Sequence, residues 1–117
     1  MNSQTLEELQ QYILRFCDER DWGQFHNPKD LSLSLSLEAS ELLEHFQWKN
    51  GSELVEYSIK NKESIGEEVA DVLYWTLLIA NKLDIDLTGA FLEKMRVNEK
   101  KYPVAKARGS HKKYTEL

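Results

Sequence analysis

Residues 31–48 read LSLSLSLEASELLEHFQW, and this stretch decides the fold. Leucine and serine alternate over residues 31–37, and a period of two is typical of a half-buried strand. The stretch nevertheless contains no β-branched residue, and it continues without a helix breaker into a run of glutamate, alanine and leucine that favours helix. We therefore predict one helix over residues 31–48, with Asp30 as a candidate N-cap.

On a helical wheel this helix has two apolar flanks separated by carboxylates. The flanks are Leu31, Leu35, Leu42 and Phe46 on one side, and Leu33 and Leu37 on the other. Glu38 and Glu41 fall between the two flanks, away from the serine-rich side. A helix that buries both flanks is hard to accommodate in a monomer of 117 residues, so we expect a homo-oligomer.

A second stretch, residues 65–83, repeats this arrangement. Ser64 and Glu67 have the spacing of a capping box, which predicts a helix start there. Glu68 and Asp71 share one face of this helix, and Asp71 lies in the most apolar run of the chain, residues 69–80. An aspartate in such a run is expected to point away from solvent.

Four carboxylates are thus predicted to converge between two helices, those of Glu38, Glu41, Glu68 and Asp71. Ionised carboxylates in an apolar interior must be neutralised, paired or bound to metal. Oxygen ligands without Cys or His favour Mg²⁺, Mn²⁺ or Ca²⁺, and Mg²⁺ ordinarily also binds substrate phosphates. The alternative is a non-catalytic helical oligomerisation module whose seam is held by buried ion pairs.

The remaining elements complete an all-α fold, which we predict to be a four-helix bundle in a single domain over residues 1–117. The predicted helices are residues 6–19, opened by a Thr5–Glu8 capping box, a short helix over 52–59, and residues 87–101, capped by Asp86 or Thr88. A basic C-terminal tail, residues 104–117, is expected either to be solvated and mobile or to fold over an anionic ligand. Cys17 is expected to be a buried apolar residue.

Several side chains outside the carboxylates are candidates for substrate binding. Lys94, Asn98 and Lys101 share the face of the last helix next to its apolar side, which suits either phosphate oxygens or snorkelling to the rim. Aromatic groups able to stack on a base are Trp22 and His26 in a loop, Trp48 at a helix end, and Trp75.

Composition limits the class of protein. The chain has 15 Lys and Arg against 20 Asp and Glu, a net charge of −5, which disfavours binding to duplex nucleic acid. A single cysteine excludes an intrachain disulfide and suits a reducing compartment. The polar N-terminus shows no signal peptide, and no stretch is apolar enough to cross a membrane, so we expect a cytoplasmic protein.

The motifs resemble those of the MazG-type all-α nucleotide pyrophosphohydrolases. These carry Glu-x-x-Glu and, after a variable gap, Glu-x-x-Asp, here at residues 38–41 and 68–71 with 26 residues between. The segments RDWGQFHNP (20–28), HFQWK (45–49), EEVADVLYW (67–75), KMRVNEKKYP (94–103) and RGSHKKYTEL (108–117) look most like dCTP pyrophosphatases and their bacterial integron-borne relatives.

The resemblance implies Mg²⁺-dependent hydrolysis of (deoxy)nucleoside triphosphates, such as dCTP, to the monophosphate and pyrophosphate by a dimer or tetramer, as part of nucleotide-pool house-cleaning. Mn²⁺ is the alternative ion. The resemblance matches Glu38, Glu41, Glu68 and Asp71 to the metal-binding, catalytic carboxylates. Trp22, His26 and Trp48 match positions that line the base and sugar pocket.

Two departures from the animal dCTP enzymes fall in that pocket. Ile13 replaces a histidine and Trp75 replaces a tyrosine. They leave the preferred base open, and the sequence also leaves open the number of metal ions, the identity of the general base, and the choice between dimer and tetramer.

Overall fold

The computed structural model describes residues 3–117, so the first two residues of the polar N-terminal segment lie outside it. The helices are α1 (Leu6–Glu19), α2 (Pro28–Glu44), α3 (Gly51–Lys60), α4 (Lys62–Lys82), α5 (Leu87–Lys101) and α6 (Val104–Ala107), with 3₁₀ turns at Trp22–Phe25 and Tyr114–Glu116. No strand occurs within residues 3–117, and the all-α prediction is confirmed. Within the same range, no helix combines the length and apolarity needed to span a bilayer.

The alternating leucine–serine segment lies in α2, as predicted, but the ends of that helix differ from the prediction. The Asn27 side chain accepts a hydrogen bond of 2.9 Å from the backbone N–H of Asp30, and Pro28 occupies the first helical position. The N-cap is therefore Asn27, and the prediction of Asp30 was wrong. The helix begins earlier than predicted, so Asp30 lies within its first turn and its N–H is the donor to the Asn27 side chain. The helix ends at Glu44, so residues 45–48 form turns.

The start of α4 also differs from the prediction. The helix begins at Lys62, and Asn61 alone separates it from α3. Ser64 thus lies inside the first turn and forms no capping box, which corrects the predicted start. The Thr5–Glu8 box of α1 is confirmed, since Glu8 N–H donates to Thr5 Oγ1 over 3.1 Å and Thr5 N–H donates to Glu8 Oε1 over 3.3 Å.

The chain forms two compact units, which divide between Asp84 and Ile85. In the first unit α2 and α1 both pack on α4. Cys17, Leu31 and Leu78 are buried together at the centre of this packing, each from a different helix. The burial of Cys17 is thus confirmed, while a single domain over residues 1–117 stays a prediction.

The second unit contains α5 and the basic tail. Asp86 caps α5 by accepting a hydrogen bond of 3.2 Å from Gly89 N–H. The tail is largely exposed but folds back on its own helix, because the Tyr114 ring lies 6.0 Å from that of Tyr102 and 4.7 Å from Lys101 Nζ. That the tail is mobile, or that it folds over an anionic ligand, stays a prediction.

Only one of the two apolar flanks of α2 is buried within the chain. Leu31 is 1% exposed, whereas Leu33 and Leu37 on the second flank are 56% and 66% exposed. The second flank is uncovered in the single chain, and its burial against another copy stays a prediction.

We expect Asn27→Ala to lower the free energy of unfolding by about 1 kcal/mol, because it removes the cap of α2. Asn50→Ala is the matched control, since Asn50 stands at the N-cap of α3 but its side chain makes no capping hydrogen bond. Urea denaturation followed by circular dichroism measures both variants. Equal losses in the two variants would contradict this role for Asn27.

Candidate active site

A cluster of three carboxylates lies where α2 packs on α4. One oxygen from each of Glu38, Glu41 and Glu68 lies within 4.8 Å of the other two. Glu38 and Glu41 are three residues apart on α2 and therefore share a face. Glu38 and Glu68 are half-buried and Glu41 is exposed. The sequence predicted this convergence correctly, although not the exposure of Glu41.

Asp71, the fourth predicted carboxylate, lies outside this group of three. Its side chain is exposed and borders the cavity beside Glu38. The expectation that Asp71 would point away from solvent was wrong, because its side chain borders an open cavity and is exposed there.

The cluster contains acceptors without donors. Oε2 of Glu38 and Oε2 of Glu68 are both buried, and neither has a hydrogen-bond partner among residues 3–117. The ion pairs in the same range are Arg20–Glu19, Lys29–Asp30 and Arg96–Glu93, so none of them reaches the cluster. Unpartnered oxygens of this kind fit a hard divalent cation, and they do not form the ion-paired seam that the alternative interpretation requires.

The electrostatics of the cluster follow from burial and like charge. Burial raises the pKa of Glu38 to about 7, and the neighbouring carboxyl groups of Glu41, Glu68 and Asp71 act in the same direction. Burial likewise raises the pKa of Glu68, and the carboxyl groups of Glu41 and Asp71 add to it. Without a cation, the carboxyl groups of Glu38 and Glu68 therefore keep their protons to a higher pH than carboxyl groups exposed to water do.

An aromatic cavity of about 430 Å³ opens beside Glu38 and Asp71. Its other lining residues are aromatic or aliphatic: Tyr12, Ile13, Phe16, Trp22, Tyr74 and Trp75. The rings of Tyr74 and Trp75 meet edge to face with centroids 4.8 Å apart. Burial raises the pKa of the Tyr74 phenol, so the Tyr74 side chain stays uncharged at neutral pH. A flat, largely apolar ligand fits such a cavity.

The other predicted base-binding residues are divided between this cavity and its surroundings. His26 lines a neighbouring cavity of about 370 Å³, which shares Trp22 and Trp75 with the first. The His26 ring lies 6.3 Å from that of Trp75. Trp48 is 88% exposed and adopts a left-handed backbone conformation, φ 68°, because α2 ends four residues earlier. Trp48 lines none of these cavities, and its role in binding stays a prediction.

The predicted phosphate-binding residues Lys94, Asn98 and Lys101 lie on α5, in the second unit. Their burial differs, since Asn98 and Lys101 are half-buried and Lys94 is exposed. Their role stays a prediction.

Some residues around the cluster were missed from the sequence. Tyr12 and Phe16 are one helical turn apart on α1, and Tyr74 follows Asp71 by three residues, so both spacings could have placed them at the cavity. His45 follows Glu41 by four residues and lines a polar cavity with it. That spacing also was visible in the sequence.

Known proteins show similarity over nearly the whole chain. Residues 33–117 match the MazG-like family. The chain is 42% identical over 115 residues to dCTP pyrophosphatase 1 of Homo sapiens and 41% identical over 115 residues to that of Mus musculus, covering 97% of this chain and 68% of each relative.

A solved structure is similar as well. The crystal structure of a pyrophosphatase from Archaeoglobus fulgidus superimposes with a TM-score of 0.81 and 39% sequence identity, over 88% of this chain and 96% of that one. Sequence and fold agree, and the resemblance read from the motifs is confirmed. The chain belongs to the MazG-like family.

Proposed function

We propose that this protein hydrolyses (deoxy)nucleoside triphosphates, dCTP and related dNTPs among them, to the monophosphate and pyrophosphate in a Mg²⁺-dependent reaction. The observation that carries the proposal is the cluster of Glu38, Glu41 and Glu68, whose buried unpartnered oxygens lie beside a cavity walled by aromatic rings. Relatives that are 42% identical bear the name dCTP pyrophosphatase, which supports the same chemistry here.

The carboxylates of Glu38, Glu41 and Glu68, together with Asp71, would hold Mg²⁺, with Mn²⁺ as the alternative ion. When bound, the ion neutralises phosphate charge and lowers the pKa of a coordinated water. Glu41 is the exposed member of the group of three, so one of its oxygens can face water. We assign to Glu41 the orientation of the attacking water and the acceptance of its proton.

The aromatic cavity would hold the base. Trp22 and Trp75 provide faces on which a base can stack, and stacking tolerates different bases because every base has a π face. Ile13 gives the same cavity an apolar wall without a hydrogen-bond donor or acceptor. Attack of water at the α-phosphorus would release pyrophosphate, whose oxygens Lys94, Asn98 and Lys101 are proposed to bind.

We further propose that the protein is a homo-oligomer, a dimer or a tetramer. The second flank of α2 supports this proposal because Leu33 and Leu37 are one helical turn apart and both largely exposed. A second copy that covers this flank would remove the apolar surface from water. A cytoplasmic location remains a prediction from the sequence.

Replacing Glu38 by glutamine tests the catalytic proposal. Glu38→Gln should lower the rate of pyrophosphate release by at least about a hundredfold, because the loss of a charge-bearing ligand weakens electrostatic stabilisation of the transition state. Circular dichroism and thermal unfolding should show an intact fold. Glu67→Gln, at an exposed side chain of α4 outside the cluster, is the matched control. Full activity of Glu38→Gln, or no activity of the wild type on any triphosphate with Mg²⁺, would refute the proposal.

Metal removal should expose the electrostatic cost of the cluster. The folded state holds more protons at Glu38 than the unfolded state between about pH 4.5 and 7, so in chelator the free energy of unfolding falls as the pH rises through this window. We expect a loss at Glu38 of roughly 1–2 kcal/mol after solvent screening. Urea denaturation at pH 5 and pH 8 should show a smaller loss in Glu38→Gln, and in the wild type when Mg²⁺ is present. If the wild type and Glu38→Gln showed the same pH dependence in chelator, the raised pKa of Glu38 would be contradicted.

Leu37→Lys should shift the protein toward the monomer, since it places a charge on the flank proposed to face a second copy. Leu43→Lys is the matched control, because Leu43 is 67% exposed, as Leu37 is at 66%, but lies on the serine-rich side of α2. Sedimentation equilibrium measures the assembly state. A wild type that is monomeric, or equal dissociation of the two variants, would contradict the proposal.

A further inference from the structure

The carboxylate cluster borders a second cavity that is polar rather than aromatic. This cavity has a volume of about 340 Å³ and is lined by Glu41, Glu44, His45 and Glu68. The aromatic cavity meets the cluster at Glu38, and the polar cavity meets it at Glu41 and Glu68. The two cavities therefore have different linings and approach the proposed metal-binding oxygens through different residues.

His45 is fixed in the wall of the polar cavity. Its Nδ1 lies 2.7 Å from the hydroxyl of Tyr57 on α3. Tyr57 is half-buried, with Lys49 Nζ 4.2 Å from its ring centroid and the Phe46 ring 6.4 Å away. The contacts with residues 45–49 hold the Tyr57 ring, and its hydroxyl in turn fixes the imidazole.

The surroundings select one tautomer of His45. If Nδ1 donated to the Tyr57 oxygen, Nε2 would carry a lone pair and act only as an acceptor. The cavity that His45 lines already contains three carboxylate acceptors. If the Tyr57 hydroxyl donates to Nδ1 instead, Nε2 carries the proton, and a donor suits a cavity lined by acceptors. The second arrangement is favoured because acceptors attract donors. Within residues 3–117, Tyr57 is the hydrogen-bond partner of the His45 ring, so Nε2–H is available to a ligand.

We propose that His45 Nε2–H binds the β- and γ-phosphates of the substrate, and hence the pyrophosphate product, and that Tyr57 is its positioning residue. The inference rests on the proposed function and deepens it. A nucleoside triphosphate has a flat base at one end and a chain of oxyanions at the other. The cluster meets an aromatic cavity at Glu38 and a polar cavity at Glu41 and Glu68, which matches this order. His45 supplies a fixed donor at the polar end, and bound Mg²⁺ would offset the charge of the carboxylates there.

His45→Leu, His45→Gln and Tyr57→Phe test the proposal. The experiment measures KM for dCTP, inhibition by pyrophosphate, and binding of pyrophosphate with Mg²⁺ by calorimetry. His45→Leu should raise KM and weaken pyrophosphate binding about tenfold, the size expected for one hydrogen bond to a charged group. The affinity for dCMP should stay within about twofold. Glutamine can donate from a similar position, so His45→Gln should recover most of the affinity.

Tyr57→Phe should weaken pyrophosphate binding less than His45→Leu does, because the donor remains but loses its fixed orientation. Ser58→Ala is its matched control, since Ser58 on α3 also loses a hydroxyl, one that donates to Leu54 O within the helix. Nitrogen-15 spectra of the histidines should show His45 protonated at Nε2, and this signal should shift when pyrophosphate and Mg²⁺ are added.

Three results would overturn the proposal: unchanged pyrophosphate affinity in His45→Leu, an equal loss of dCMP affinity, or an Nδ1-protonated His45. The calorimetric and spectroscopic measurements do not require turnover. Failure of the proposed function, seen as a wild type without pyrophosphohydrolase activity, is therefore distinguishable from failure of this inference.

Discussion

Two carboxylate oxygens are held out of water between α2 and α4, with no hydrogen-bond donor among residues 3–117, and the remainder of the site is arranged around this constraint. Oε2 of Glu38 and Oε2 of Glu68 are buried because the helices that carry them pack through Leu31 and Leu78. Packing of this kind would be easier with apolar side chains at both positions. The protein instead keeps two acids there, and their pKa values are raised first by burial and then by the neighbouring carboxyl groups. A divalent cation is the partner that relieves this repulsion most directly.

The two cavities are candidate binding sites because both border the carboxylate cluster. Aromatic rings alone would form an unremarkable apolar pocket, and a histidine among glutamates alone would form a common surface feature. The aromatic cavity borders the cluster at Glu38 and the polar cavity borders it at Glu41 and Glu68, which makes them candidate halves of one site. The proposed chemistry therefore depends on the packing of α2 on α4 before it depends on any single side chain.

Periodicity predicted the parts of the site that lie within one regular helix. The positions of Glu38, Glu41 and Glu68 follow from residue spacing along α2 and α4, and the family motifs point to the same residues. Helix ends were less predictable because several side chains compete to cap the same N–H groups, as Asn27 and Asp30 do. The early end of α2 also determined the exposure of Trp48.

Contacts between different helices could not be predicted from the sequence. The approach of Tyr57 to His45 depends on the direction that α3 takes after residues 48–51, where Trp48 and Gly51 both adopt positive φ. No pattern within α2 or α3 encodes that direction. The exposure of Asp71 likewise depends on which face of α4 another helix covers, and hydropathy along the chain does not report it.

The single residue between α3 and α4 links Tyr57, the hydrogen-bond partner of His45, to the helix that carries Glu68. Asn61 N–H donates to Tyr57 O over 2.9 Å, and Ile65 N–H donates to Asn61 O over 3.0 Å, so hydrogen bonding continues across the junction. One added or deleted residue there would turn α3 by about 100° relative to α4. The tyrosine would then leave the histidine, although Glu68 would keep its place on α4. The contact between Tyr57 and His45 consequently requires a junction of one residue, because the length of the junction sets the rotation of α3 about its own axis.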